Sequence, residues 1–411
     1  MRAALYSHDS VGLGHVRRNL ALAGALATSD DGERVGGLVI TSQPSATVAG
    51  TPGGWDWLVL PGIRPSSDGY AARDLDLEPP AVARLRGALV ASALEEYRPE
   101  LLIVDRHPFG ASGELRDTIE RLRRQPDAPR IVLGLRDVLD EPRRATAEWE
   151  DAGGAGRVAD AVDEVWVYGD PAVHDPVASG EIPAELAEKV SFTGYLSLGR
   201  RSAWTPQRRD PFVLTMVGGG SDGASLAGTV ATIAPPRGVR SLIVTGPQMP
   251  SEHVEHLRRI AVAGVDVVRQ VPDALALVQR AEAVVCMAGY NSLAEVMSTR
   301  VPALVVPRHQ RRQEQRIRAA ALARHGVVAA LDPEEADRGA IRRWLHGAVG
   351  RRVDRTGLRR DGLAVVPSLA RGLVAGHPDG RRGLPLDAAT TADNGTPSTG
   401  PTTREATAHV R

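Results

Sequence analysis

Ala283-Val284-Val285-Cys286-Met287-Ala288-Gly289-Tyr290-Asn291-Ser292-Leu293-Ala294-Glu295 reads as a short apolar run, a glycine turn and the opening of a helix. Pro307 to Gln315 follows the next apolar run at 303–306. Four apolar residues bounded by a glycine turn and followed by helical spacing predict a strand that feeds a crossover helix. Gly289 as the last residue of the turn puts Tyr290, Asn291 and Ser292 in the first helical turn, where backbone N–H groups lack partners. Glu295 then lies close to two turns further along.

The same alternation recurs on both sides of this stretch and predicts parallel strands joined by helices. Strands are expected near residues 2–7, 35–41, 101–105, 131–135 and 165–168, each followed by turn residues and a helical pattern. The pattern stops in a polar, arginine-rich connection and restarts with strands near 212–217, 241–245, 265–269, 283–286 and 303–306. The fold class expected is therefore α/β, with two doubly wound Rossmann-like domains facing across a cleft. Their predicted limits are an N-terminal domain at 1–197, a linker at 198–211 and a second domain at 212–350. A C-terminal helix at 351–376 is expected next. From His377 the chain turns to Gly, Pro, Thr, Ala and Asp without periodicity, and 377–411 is expected to be a disordered tail.

Size and charge agree with two lobes. A chain of 411 residues is too long for one ordinary core. Fifty basic and fifty acidic residues cancel, so no global field draws the protein to nucleic acid or an anionic membrane, and any phosphate binding must be local. Lys189 is the one lysine among the basic residues. The single cysteine, Cys286, excludes an intramolecular disulfide and a cysteine-based zinc site, and a cytoplasmic location is expected. The opening Ala3-Ala4-Leu5-Tyr6 lacks the charged-then-apolar order of a signal peptide, and no segment reaches the roughly 18 apolar residues of a membrane span. Membrane contact is expected to be peripheral at most.

Two constellations carry chemistry. In the second half, Gly218-Gly219-Gly220-Ser221-Asp222-Gly223-Ala224 follows the restart strand, and glycines there let backbone N–H groups approach an anion at a helix N-terminus. Such turns also simply close tight connections. Asn291 and Ser292 are helix caps as readily as ligands, whereas Glu295 has the chemistry to accept two hydrogen bonds from ribose hydroxyls. Ala288 to Ser292 with Glu295, and Glu314-Gln315 beyond, thus outline a crevice that suits a nucleotide sugar. Arg308, His309, Arg311 and Arg312 are read as a solvated loop, in which an arginine could also meet phosphate.

In the first half, Ser7-His8-Asp9-Ser10-Val11-Gly12-Leu13-Gly14-His15 is a strand-to-helix turn, with Val16, Leu20, Ala23 and Ala27 on one helical face. Gly12 and Gly14 without a third glycine make a poor dinucleotide fingerprint. A free imidazole titrates near neutral pH, which makes His15 the candidate general base, and Asp105, ending its strand, could orient it. Arg136 and Asp137 either line the acceptor side of the cleft or pair on the surface, and Glu114 is read as a solvated helical residue. Ligand clusters with metal spacing are absent, so no protein-held metal or cofactor is expected, the nucleotide sugar being a co-substrate.

Gly289-Tyr290-Asn291-Ser292 with Glu295, Pro302, Pro307 and Glu314-Gln315 resembles the donor-site signature of two-domain glycosyltransferases of the GT-B fold. Gly219-Gly220-Ser221-Asp222-Gly223-Ala224 resembles the matching loop of the lipid-intermediate N-acetylglucosaminyltransferases of peptidoglycan synthesis, of the glycosyltransferase family 28 C-terminal type. The resemblance implies that Glu295 binds the ribose, that Glu314 and Gln315 face the donor sugar, and that residues 221–224 and 289–292 lie along the diphosphate. It implies a UDP-linked hexosyl or N-acetylhexosaminyl donor and an acceptor that is lipid-linked, a natural product or a protein. Met287 departs from the pattern, since relatives often place His or Arg there. A nucleotide-sugar 2-epimerase on the same fold, or a non-catalytic nucleotide-sugar binder, are the alternatives.

Overall fold

A computed structural model describes the chain except for Val11, residues 29–33, Asp68, Ala203, residues 208–209, 309–311 and 377–411. The tail and part of the linker expected from the sequence, with His309 and Arg311, therefore lie outside the described residues.

The first half builds a parallel sheet from β1 (Arg2–Tyr6), β2 (Gly36–Thr41), β3 (Trp55–Val59), β6 (Leu101–Asp105), β7 (Arg130–Arg136), β8 (Glu164–Tyr168) and β9 (Val190–Phe192). A hairpin of β4 (Ile63–Ser66) and β5 (Gly69–Ala72) lies outside it. The order is β3-β2-β1-β6-β7-β8-β9. The second half builds another parallel sheet from β10 (Phe212–Met216), β11 (Arg240–Val244), β12 (Val265–Val268), β13 (Ala283–Cys286), β14 (Ala303–Val305) and β15 (Ala329–Ala330), in the order β12-β11-β10-β13-β14-β15. This is the doubly wound α/β pair that the alternating pattern predicts.

Both orders reverse at one place. In the first sheet β1 lies between β2 and β6, and in the second β10 lies between β11 and β13. At such a reversal the outgoing connections leave in opposite directions and open a crevice at the carboxyl ends of the strands. The turns after β1, β6, β10 and β13 hold the motifs from residues 7–15, 105–110, 218–224 and 287–292.

The central strands are buried on both faces, as in parallel sheets generally: β6 and β8 along their whole length, and β1 from Ala3 to Tyr6. The helix Gly14–Ala27 covers one face through Val16, Leu22, Ala23 and Leu26. Each large aliphatic side chain so placed contributes about 2 kcal/mol. Arg18 and Asn19 are buried as well, whereas the expected Leu20 and Ala27 are only half-buried. The helix is covered on more than one side, because the terminal helix Gly362–Val374 also packs on it. That helix is reached by a return crossing, in which Tyr195 N–H donates to Arg359 O (2.8 Å) and Leu198 N–H to Arg360 O (2.8 Å).

Candidate functional site

The turn after β1 is held by Asp9. Its Oδ1 accepts from Val16 N–H (3.0 Å), and its Oδ2 accepts from Ser7 Oγ (2.5 Å) and Thr41 Oγ1 (2.7 Å). The carboxylate thus occupies the anion-favouring N-terminus of the Gly14 helix and fixes the turn that carries His15. Asp9 itself has a left-handed backbone (φ 38°), a conformation Asp tolerates better than most residues.

His15 Nδ1 lies 2.7 Å from Asp105 Oδ2, and Arg18 grips the same carboxylate at 2.7 Å. Two donors therefore serve one acceptor. The 3.0 Å approach of Arg18 Nη2 to His15 Nδ1 is between neighbouring donors, so the proton sits on Nδ1 and Nε2 is the free acceptor. Burial alone would raise the Asp105 carboxyl, but Arg18 and His15 outweigh it and hold it at about 2. The dyad inferred from residues 90 positions apart is thus assembled by the pairing of β1 with β6.

Two further histidines join it. His8 lies 4.4 Å from His15 and 4.7 Å from His107, ring centre to ring centre. Burial, then the charge of their neighbours, pushes His8 and His107 well below the usual imidazole range, so both are neutral at pH 7. They form a neutral wall beside the dyad.

Across the crevice, helix Tyr290–Met297 starts behind Gly289 with no side-chain cap. Its leading N–H groups are left to a ligand or water. Asn291 Nδ2 donates to Gly14 O (2.7 Å) and accepts at Oδ1 from Arg200 Nη2 (3.2 Å), which joins the two turns. Ser292 follows it, half-buried. Glu295, buried, pairs with Arg17 of the opposite half.

The glycine loop closes this side. Gly218 and Gly220 have φ of 62° and 95°, and a Cβ on Gly220 would lie 2.2 Å from Thr245 O. Only glycine fits there. A Cβ on Gly219 would meet Gln248 Oε1 at 2.6 Å, and Gln248 N–H donates to Gly219 O (2.8 Å). Ser221 and Asp222 are exposed, and Gly223 packs on Val217 ahead of helix Ala224–Ala231. Gly12 of the first half faces Gln248, 3.8 Å from where its Cβ would be.

Glu314 and Gln315 open helix Glu314–Arg324, both buried. Arg308 pairs with Glu314, approaches Asp222 at 3.5 Å, and donates its N–H to Gln315 Oε1 (3.1 Å). Burial would raise the Glu314 carboxyl, but Arg136, Arg308 and Arg318 hold it below the usual carboxylate range. Arg312 is not a free solvated side chain either, since it pairs with Glu148 at 3.0 Å.

The remaining candidate residues take partners that the sequence does not show. Asp137 does not pair with Arg136. It forms a buried ion pair with Arg318 of the opposite half (2.7 Å), while Arg318 also donates to Ala288 O (3.0 Å) and Val138 O (3.3 Å). The Tyr290 ring is buried between the halves, its hydroxyl donating to Tyr168 O (2.8 Å) and accepting from Leu196 N–H (3.1 Å). Glu114 is neither helical nor solvated: it precedes helix Arg116–Arg123 and takes bonds from Tyr6 (2.5 Å), Arg86 (2.9 Å) and Ser112 N–H (2.8 Å). A buried guanidinium at Arg86 requires that carboxylate.

Among the described residues no group of three or more His, Cys, Asp or Glu could hold a metal, and no helix is long and apolar enough to cross a membrane. Cys286 is buried, which pushes its thiol up to about 12 and keeps it unreactive.

Residues 214–346 match the glycosyltransferase family 28 C-terminal domain. No curated protein matches the sequence. Solved structures match nearly the whole chain at low identity. The glycosyltransferase of kitacinnamycin is 18% identical, with 91% of this chain and 97% of that chain covered and a TM-score of 0.55. MurG of Acinetobacter baumannii is 14% identical (90% and 94% covered, TM-score 0.51). UGT2 of Phytolacca americana, solved with UDP-2-fluoro-glucose and pterostilbene, is 13% identical (92% and 97% covered, TM-score 0.54). These likenesses establish the GT-B architecture. Within that architecture, residues 214–346 are similar to the glycosyltransferase family 28 C-terminal domain.

Proposed function

We propose that the protein moves a hexosyl group from a UDP-linked sugar to an acceptor hydroxyl, with His15 as general base and Asp105 as its orienting partner. The observation that carries this reading is the free Nε2 of His15, held by Asp105 at 2.7 Å on the other nitrogen, in the crevice opposite the uncapped helix start at Tyr290. As the acceptor oxygen bonds to the anomeric carbon, His15 Nε2 takes its proton and the bond from that carbon to the diphosphate breaks, releasing UDP. The N–H groups at residues 290–292 and the loop at 218–223 take up the negative charge on the leaving diphosphate. Glu295 accepts from the ribose hydroxyls once Arg17 gives way, and Glu314 and Gln315 face the sugar. In this reading no metal or cofactor takes part, and the acceptor meets the enzyme from the first half.

A thermal-shift screen against UDP, GDP, dTDP and their sugars tests the donor, since a ligand that binds only the native state stabilises it. UDP is expected to give the largest shift. With an accepted substrate, His15→Ala is expected to slow transfer by about 10² to 10⁴ while UDP affinity stays the same. An unchanged rate refutes the base assignment. If UDP-N-acetylglucosamine alone returns as an epimerised sugar, the epimerase reading replaces this one.

A further inference from the structure

Arg136 is the arginine that the cleft leaves over. It ends β7, one strand from Asp105 and opposite Tyr168 in the register of β8. Its charged neighbours are Glu314, Arg318, Arg18 and Arg106. Arg318 is paired with Asp137, Arg18 with Asp105, Arg106 with Glu148, and Glu314 with Arg308. Among the described residues nothing is left for Arg136. Its Nε is buried without a hydrogen-bond partner, and so is Glu314 Oε2. The residue is still partly exposed, so solvent or a ligand reaches the guanidinium.

A partly buried guanidinium with no partner is costly, and the surrounding arginines add to the cost rather than relieve it. Burial, with those neighbours, brings Arg136 down to about 9 against the pull of Glu314. A bound anion would offset both costs. We propose that Arg136 receives an anionic group of the acceptor, a phosphate or a carboxylate, and so sets the acceptor hydroxyl against His15. The position favours the acceptor over the donor, because Arg136 stands on the first sheet beside the Asp105 strand, whereas the glycine loop and the Tyr290 helix belong to the second. A planar guanidinium suits either oxyanion, through two parallel N–H donors. The inference rests on the transferase reading for the word acceptor, not for the anion site.

The test is binding of inorganic phosphate and of acetate to the full chain with saturating UDP, read by thermal shift and calorimetry. Wild type is expected to bind at least one of the two anions, and the ratio of their affinities tells phosphate from carboxylate. Arg136→Gln is expected to weaken that binding at least about tenfold with UDP affinity unchanged. Arg136→Lys keeps the charge but loses the two-pronged geometry, so it is expected to bind several-fold more weakly than wild type. It carries the test if the glutamine variant does not fold. No anion binding by wild type, or equal binding by the variants, overturns the proposal. If no nucleotide binds at all, the transferase reading fails while the anion arm still judges Arg136.

Discussion

Asp105→Asn separates two contributions of one carboxylate. Asp105 is 1% exposed, takes its short bonds from Arg18 and His15, and has its carboxyl brought from 3.8 to about 2. That interval corresponds to about 2 kcal/mol of folding free energy, at ~1.4 kcal/mol per pH unit. The sign follows from the depressed value: the contribution is fully present above about pH 4, where the unfolded carboxyl is ionised, and is lost as pH falls through about 2. The amide also leaves Arg18 buried without a counter-charge, which raises the expected loss at pH 7 to about 3 to 5 kcal/mol. Urea denaturation of both proteins between pH 7 and pH 2 measures it. The gap between wild type and variant is expected to be full at pH 5 to 7 and to shrink below pH 4. Transfer is expected to fall by up to about 10⁴, as in other histidine bases deprived of their carboxylate, because Nδ1 no longer holds its proton toward an acceptor. A gap under about 0.5 kcal/mol, or one that persists unchanged at pH 2, refutes the reasoning.

Arg318→Ala is expected to destabilise the fold by about 3 to 5 kcal/mol in the same assay, since it strands Asp137 in the interior. A loss below 1 kcal/mol counts against a buried charge pair. Glu295→Gln is expected to weaken UDP binding by about tenfold or more in calorimetry, through the loss of charged acceptors for the ribose. Arg17→Ala is expected to do the reverse, tightening UDP binding because Arg17 no longer competes for Glu295, while the fold loses about 1 to 3 kcal/mol because the buried Glu295 carboxylate is left without its partner. Weaker UDP binding in Arg17→Ala makes Arg17 a ligand and not a competitor.

What could be read from the chain was local. The strands at 101–105 and 283–286 and the glycine turns near 12–14, 218–223 and 289 announce themselves through apolar runs and glycines, whatever the rest of the protein does. Strand β3 escaped because Trp55-Asp56-Trp57-Leu58-Val59 sits on the sheet edge, and β9 and β15 are too short to show a period. The pairings across the halves were not legible. Arg18 and Arg318 look like two more arginines in a chain rich in them, and their burial depends on carboxylates 87 and 181 positions away. The helical face misjudged at Leu20 has the same origin, since one stripe of periodicity cannot show that a second half covers the other side. Asp9 left one signal, an acidic residue in a strand-to-helix turn, which is the chemistry of an N-terminal anchor.

The joints between the halves differ in what it costs to break them. At the back, Arg318 with Asp137 and Tyr290 with Tyr168 and Leu196 are buried, so separating them exposes no alternative partner for the groups released. At the mouth, Arg17 with Glu295 and Asn291 with Gly14 lie where solvent reaches at least one partner, so water or a ligand replaces what is lost. The contacts at the mouth are therefore cheaper to exchange than the Tyr290 and Arg318 joints. The groups released there, the Glu295 carboxylate and the Asn291 amide, are those the sequence assigns to the donor. Donor binding and release of the halves thus draw on the same side chains. On the proposed function, a nucleotide that takes Glu295 must also displace Arg17.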